Sequence, residues 1–276
     1  MARLSPLPDT KITSRDNELA RRARRTRDGK EAEHIFIEGL RLSEEVINSQ
    51  LQIEDAIYTQ KFSENERGAE VLRALASRAR RIALADEKVF ASLSDTKSPQ
   101  GILVIARRPQ TDFEAFARQL QNSKLLLVVL HRINNPANAG AILRVAEAVG
   151  VDGVAATSGS TDLFSPKALR GAMGSSFRLP LWTGAEFGAV VAWCRGNGAN
   201  IVCADAAAHD AHTDVRWNDP CALVVGSEAG GLGNDEVALA DQLIKIPMRS
   251  PVESLNVATA CAVILYEARR QRDFKV

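Results

Sequence analysis

Aromatic residues make up 5% of the 276-residue sequence, too few for the stacking platform on which long single-stranded nucleic acids are held. Charge of one sign is scarce as well. Thirty-five Lys and Arg stand against 34 Asp and Glu, a formal net charge of +1, which excludes a chain that holds nucleic acid by bulk positive charge alone. The four cysteines, Cys194, Cys203, Cys221 and Cys261, all fall in the second half. Their spacings match no zinc-ligand pair and three have apolar neighbours, so they read as reduced core thiols of a cytosolic protein. The apolar run Leu125 to Leu130 is far shorter than the roughly 20 residues of a membrane helix. The N-terminus lacks the apolar stretch of a signal peptide, and a soluble, cytoplasmic protein is expected. There is no G-x-G-x-x-G after the first strand and no G-x-x-x-x-G-K-[ST] anywhere, which sets aside dehydrogenases and P-loop NTPases. Neither a fixed-period repeat nor a low-complexity tract is present.

What remains is ordinary globular composition, 45% hydrophobic and 25% charged, in a length that admits two domains. Helix-like and strand-like patterns alternate from about Thr13. A helix is expected from a Ser14 cap to about Arg27, a strand over 34–37, a helix over 40–49 and a strand over 55–58. Ser63-Glu-Asn-Glu66 has the form of a capping box ahead of the apolar run 71–76. A strand near Ile82, a helix over 86–93 and the apolar run 101–106 complete a small α/β domain. After Arg107-Arg-Pro-Gln110 comes an amphipathic linker helix, Phe113 to Gln121. The uninterrupted run Lys124 to Leu130 then reads as a strand buried on both faces of a parallel sheet. Further strands are expected at 153–156, 201–203, 221–225 and 243–246, giving a second α/β domain. The expected division is 1–107, a linker 108–123, and 124–276.

Charge is unevenly distributed. Residues 1–124 carry 22 basic and 19 acidic residues and the remainder 13 and 15, so the halves are +3 and −2. Arg21, Arg22, Arg24, Arg25 and Arg27 crowd seven positions; the run suits a phosphate-binding stripe and equally a solvated helix face.

Three segments lie at the C-terminal ends of expected strands, the edge at which open α/β sheets bind ligands. They are Asn134-Asn-Pro-Ala-Asn-Ala-Gly-Ala-Ile-Leu-Arg144, Gly226-Ser-Glu-Ala-Gly-Gly-Leu-Gly233 and Ile246-Pro-Met-Arg-Ser-Pro-Val-Glu-Ser-Leu-Asn256. Singly each suits a turn, and Ser254 suits a helix cap. Four glycines in eight residues after a buried strand nonetheless point to backbone that must approach something closely with free N–H groups. His209, His212 and Asp205 lack the periodicity and further ligands of a metal site, and no metal is expected. His131 lies beside the first segment, but nothing in the pattern marks it as a site residue.

In order and spacing these three segments resemble the motifs of the SpoU (TrmH-like) ribose 2′-O-methyltransferases of the SPOUT class. Ser165-Pro-Lys-Ala-Leu-Arg170 and Met173-Gly174 resemble the family's intervening segment, although Gly171-Ala172 stand where relatives often show a small residue plus serine. The N-terminal part, through Ser14-Arg-Asp-Asn and Phe36-Ile-Glu-Gly39, resembles the family's ribosomal-protein-like substrate-binding domain. The resemblance implies a mostly parallel α/β sheet with a deep trefoil knot, a homodimer through the C-terminal domain involving the helix 257–266, and S-adenosylmethionine as cofactor. It implies Gly226, Ile246, Met248 and Leu255 as cofactor contacts. It assigns Arg144, supported by Asn138, Glu228, Ser254 and Asn256, to methyl transfer onto a ribose 2′-hydroxyl. A guanidinium stays protonated, so Arg144 suits orientation or a phosphate-coupled proton transfer better than free-standing base catalysis. Ribosomal RNA is the expected substrate. The alternatives are the same reaction on transfer RNA and a non-catalytic RNA-binding or ribosome-assembly protein of the same fold.

Overall fold

The structure is a computed structural model that describes residues 10–120, 124–227 and 230–272. The chain forms two compact units. One comprises the residues up to Pro109 together with Phe164–Phe177; the other comprises Gln110–Leu163 and the chain from Arg178 onward.

The first unit runs β1 (Lys11–Ile12), α1 (Glu18–Arg27), β2 (His34–Glu38), α2 (Leu40–Asn48), β3 (Ile53–Thr59), α3 (Gln60–Glu64), α4 (Glu66–Ala76), β4 (Ala79–Ala85), α5 (Glu87–Leu93) and β5 (Ile102–Arg107). Its sheet has the order β1-β4-β3-β5-β2, with β3 parallel to β4 and antiparallel to β5. Leu19, Ala20 and Ala23 on one face of α1 pack with Ile57 of β3 and Leu103 and Ile105 of β5. That face drives the helix onto the sheet. Two expected caps differ. Asn17, not Ser14, caps α1 by accepting the Leu19 N–H. Ser63 lies inside α3, where its hydroxyl donates back to the Gln60 carbonyl, and Asn65 caps α4. Asparagine presents a carbonyl at the right reach, whereas a serine within a turn bonds back to the preceding carbonyls.

The second unit opens with α6 (Phe113–Gln119), β6 (Leu126–Leu130), α7 (Pro136–Val149) and β7 (Gly153–Thr157). The chain then visits the first unit with α8 (Pro166–Ala172) before β8 (Leu181–Ala185), α9 (Phe187–Gly196), β9 (Asn200–Ala204), β10 (Asp210–Ala211), β11 (Cys221–Val225), α10 (Asn234–Val237), β12 (Gln242–Lys245) and α11 (Val257–Gln271). The seven strands run parallel in the order β10-β12-β9-β11-β6-β7-β8. β6 and β11 are buried at every residue, which explains their uninterrupted apolar runs. β8 was not anticipated, because Gly184 at φ 71° and a shift of register toward its end break its pattern.

All four thiols are buried, and burial pushes Cys194, Cys203 and Cys261 up to about 12 and Cys221 to about 11. Protonated at neutral pH, they are packing groups rather than nucleophiles. At the end of α11, the Arg272 guanidinium donates to the carbonyls of Trp217, Asp219, Lys124 and Leu125. This ties the last helix to the starts of β6 and β11. Among the described residues no helix is long and apolar enough to cross a membrane.

Candidate active site

At the C-terminal edge of the parallel sheet, a cleft of about 450 Å³ opens between the ends of β9, β11 and β12 and the start of α11. It sits where adjacent parallel strands release their loops, the position at which sheets of this kind bind ligands. Gly226, Ile246, Met248 and Leu255 all line it, as do Ser254 and Asn256. Segments thirty residues apart are therefore brought to one wall.

Gly226 has a steric reason to be glycine. A Cβ there would stand 2.5 Å from the Gly231 carbonyl carbon and 2.9 Å from the Leu232 nitrogen, so any side chain forces the loop apart. The loop curls back on itself through the Gly231 N–H to Ser227 carbonyl bond at 2.9 Å and the Gly230 N–H to Ser227 Oγ bond at 3.2 Å. Gly231 adopts φ 59° to close the turn. Glu228 lies outside the described residues.

Asn256 joins the third segment to the first. Its Oδ1 accepts the Ala258 and Thr259 N–H groups and so caps α11, while its Nδ2 donates to Asn138 Oδ1 at 3.1 Å. The cap is therefore Asn256, and Ser254 remains an exposed residue on the cleft wall. Asn138 stands in the first turn of α7, which Asn135 caps ahead of Pro136. Arg144 lies farther along α7. Six helical positions separate the two by about 9 Å along the axis and roughly 120° around it. Arg144 is exposed, lies outside the cleft lining and has no partner among the described residues.

His131 ends β6, and it is buried rather than open to a substrate, 3% exposed. Its Nδ1 is 3.2 Å from Thr157 Oγ1 and its ring stands edge-on to Phe187. Its Nε2 lies 3.2 Å from Glu236 Oε1, within ion-pair reach but off the angle of a hydrogen bond. Burial lowers its pKa, with Glu236 opposing. Glu236 accepts its own backbone N–H and that of Gly233, faces His131 and Arg132, and is held below the usual carboxylate range. It thus fastens the exit of the glycine loop to the end of β6. Sequence reasoning missed this anchor. Its signal was a glutamate three residues after Gly233, the spacing of a capping-box acid.

The arginine run is put to unequal use. Arg22 pairs with the fully buried Asp55 at 2.5 Å and contacts His34, and Arg81 holds the other oxygen of the same carboxylate at 2.6 Å. Arg27 donates to the carbonyls of Ser92, Leu93 and Ser94 at the end of α5. Arg24 reaches the Arg15 carbonyl, Arg25 pairs with Glu31, and Arg21 is exposed.

Residues 125–266 match the model of the SpoU rRNA Methylase family, and residues 17–104 match that of an MRM3-like substrate binding domain. An uncharacterized tRNA/rRNA methyltransferase of Synechocystis sp. is 30% identical over 264 residues, 95% of this chain and 94% of that protein. A 23S rRNA (uridine(2479)-2′-O)-methyltransferase of Streptomyces viridochromogenes is 29% identical, over 92% of this chain and 87% of its own. The solved structure of the SpoU methyltransferase AviRb from Streptomyces viridochromogenes, in complex with AdoMet, aligns at a TM-score of 0.82 with 26% identity, over 93% of this chain and 98% of that one. With a glycine loop, a capped C-terminal helix and an asparagine pair meeting at one sheet edge, this chain belongs to the SpoU rRNA methylase family.

Proposed function

We propose that the protein transfers a methyl group from S-adenosylmethionine to a ribose 2′-hydroxyl of ribosomal RNA. The observation that carries this reading is the cleft at the ends of β9, β11 and β12, with Asn256 joining its wall to Asn138. The cleft fits the cofactor. Its volume lies in the range of small-molecule sites, Gly226 leaves backbone exposed where a Cβ cannot stand, and Ile246, Met248 and Leu255 offer neutral surface suited to an adenine. When bound, S-adenosylmethionine supplies an electrophilic methyl group on a sulfonium.

The chain's own residues then have to bring a hydroxyl in line and manage its proton, a task that positioning can largely perform. Arg144 holds the target nucleotide through its phosphate, a bidentate role suited to guanidinium. Asn138 and Asn256 orient the ribose, Ser254 adds a hydroxyl at the cleft wall, and Glu228 completes the acidic side of the second motif. Arg21, Arg24 and Arg25, the more available members of the run, supply phosphate contacts, while Arg22 and Arg27 hold their helix in place. Residues 1–107 form the RNA-binding domain, 108–123 the linker and 124–276 the catalytic domain, threaded as the family's trefoil knot. Exposed Val263 and Tyr266 on α11, with Val252 and Leu255 nearby in the chain, support a homodimer through this domain, working in the cytoplasm.

Labelled S-adenosylmethionine incubated separately with ribosomal and transfer RNA tests the substrate, and label is expected in ribosomal RNA. Transfer to tRNA alone overturns the choice of RNA, and no transfer under conditions where the cofactor binds overturns the enzyme reading. Arg144→Ala is expected to keep cofactor affinity and lose on the order of a hundredfold in methyl transfer.

A further inference from the structure

A 2′-hydroxyl is the same on every nucleotide, so the groups that position it cannot tell one base from another. Base choice needs hydrogen-bonding groups in a second enclosed place. The first unit holds a cavity of about 360 Å³ outside the site described above, framed by the β2–α2 turn, the stretch 96–100 and α8. We propose that this cavity is a subsite for one unstacked nucleotide of the RNA and that it selects a base with a carbonyl oxygen where cytosine and adenine carry an amino group, that is, uracil or guanine. The proposal rests on the RNA-methyltransferase reading and adds to it how the RNA is chosen.

The lining is rich in donors and poor in free acceptors. Glu38 is buried, and its carboxylate is already met by the Ser94 hydroxyl, the Asp95 N–H at 2.8 Å and the Thr96 hydroxyl at 2.9 Å. Gln100 uses Oε1 to accept the Leu40 N–H at 2.8 Å, which leaves its amide NH₂ to donate. Gly39, at φ 103°, lets that amide come close; a Cβ there would stand 2.9 Å from Gln100 Oε1. Arg170 is held at 2.6 Å by Asp95, and Arg41 is exposed without a partner among the described residues. Arginine only donates. Leu42 and Met173 add apolar surface for a base face. Met173 is the left-handed C-cap of α8, at φ 50° and ψ 45°, its N–H closing the helix on the Leu169 carbonyl. An unstacked base with O4 of uracil or O6 of guanine turned to these donors is satisfied, whereas the amino groups of adenine and cytosine turned the same way find only the Thr96 and Ser98 hydroxyls as acceptors. Single-stranded positions of RNA are read through exposed base edges in this way.

Fluorescence anisotropy with labelled hexauridylate, hexaadenylate and hexacytidylate tests this on the full-length protein. Hexauridylate is expected to bind at least tenfold tighter than the other two. Ser98→Trp, which fills the cavity from an exposed position, and Gln100→Glu, which replaces the donor by an acceptor, are each expected to abolish that preference. Arg41→Gln, which removes one of these donors, should weaken hexauridylate more than the other two probes, and melting temperature and cofactor affinity should stay unchanged throughout. Equal binding of the three probes to wild type, or a preference that survives Ser98→Trp, overturns the subsite. Methylation of ribosomal RNA separates the two readings. If wild type methylates it and Ser98→Trp does so at the same KM, the cavity proposal fails while the enzyme reading stands. A raised KM at unchanged kcat supports both.

Discussion

The glycine loop after β11 and the arginine run of α1 are the two most conspicuous stretches of the sequence, and the fold uses them in opposite ways. In the loop, what matters is the side chain that is missing. Gly226 is packed against the backbone of Gly231 and Leu232, and the loop beside the cleft closes because no side chain intervenes there. In the run, abundance misleads, because Arg22 and Arg27 are committed to Asp55 and to the end of α5. A missing side chain is visible in the sequence together with its purpose. A charge is visible without its partner, and its availability is set by the fold.

Gly226→Val attacks the first half of that comparison and carries the largest expected effect. The branched side chain must displace the Gly231 backbone, so cofactor affinity measured by calorimetry should fall by two orders of magnitude or more. Circular dichroism should show the fold retained. Arg22→Ala attacks the second half. It leaves Asp55 buried with only Arg81, and losing one partner of a buried pair costs about 3 kcal/mol. Thermal melting should therefore drop by several degrees. Arg21→Gln combined with Arg25→Gln sharpens the contrast within one helix. Stability should move by no more than about 0.5 kcal/mol, while the slope of log K for RNA against log salt becomes shallower by roughly 0.7–0.9 for each phosphate that is no longer neutralised.

The smallest expected effect concerns His131. Burial holds its folded pKa below the ordinary 6.5. Between those two values the unfolded chain binds more protons than the folded one, so stability falls as pH drops from about 7 through 6.5 toward the folded value. Glu236 does not share that window, since its contribution is intact above the usual carboxylate range and is lost only as pH falls through that range toward its lowered folded value. His131→Asn should flatten the slope of denaturant midpoint against pH between about 7 and 5. An unaltered slope would assign it to other groups.

Much of the second unit was legible because its strands are buried on both faces. Leu126–Leu130 and Cys221–Val225 are apolar without interruption, and the loops that follow carry residue types with few other uses. Asn256 was legible as a candidate site residue but not as the cap of α11, because Ser254 two positions earlier offered an equally good signal. Its bond to Asn138 spans 118 positions, a separation that no local pattern encodes. The return of α8 to the first unit was hidden for the same reason, and with it the cavity beneath Arg170 and Met173. β1 and β10, two residues each, are defined only by their neighbours β4 and β12.

Alkaline hydrolysis of the labelled product shows whether the cleft delivers its methyl group to a ribose oxygen. A 2′-O-methyl group removes the hydroxyl that attacks the adjacent phosphate, so label is expected in alkali-resistant dinucleotides from ribosomal RNA. Label recovered in mononucleotides would place the methyl group on a base and contradict it.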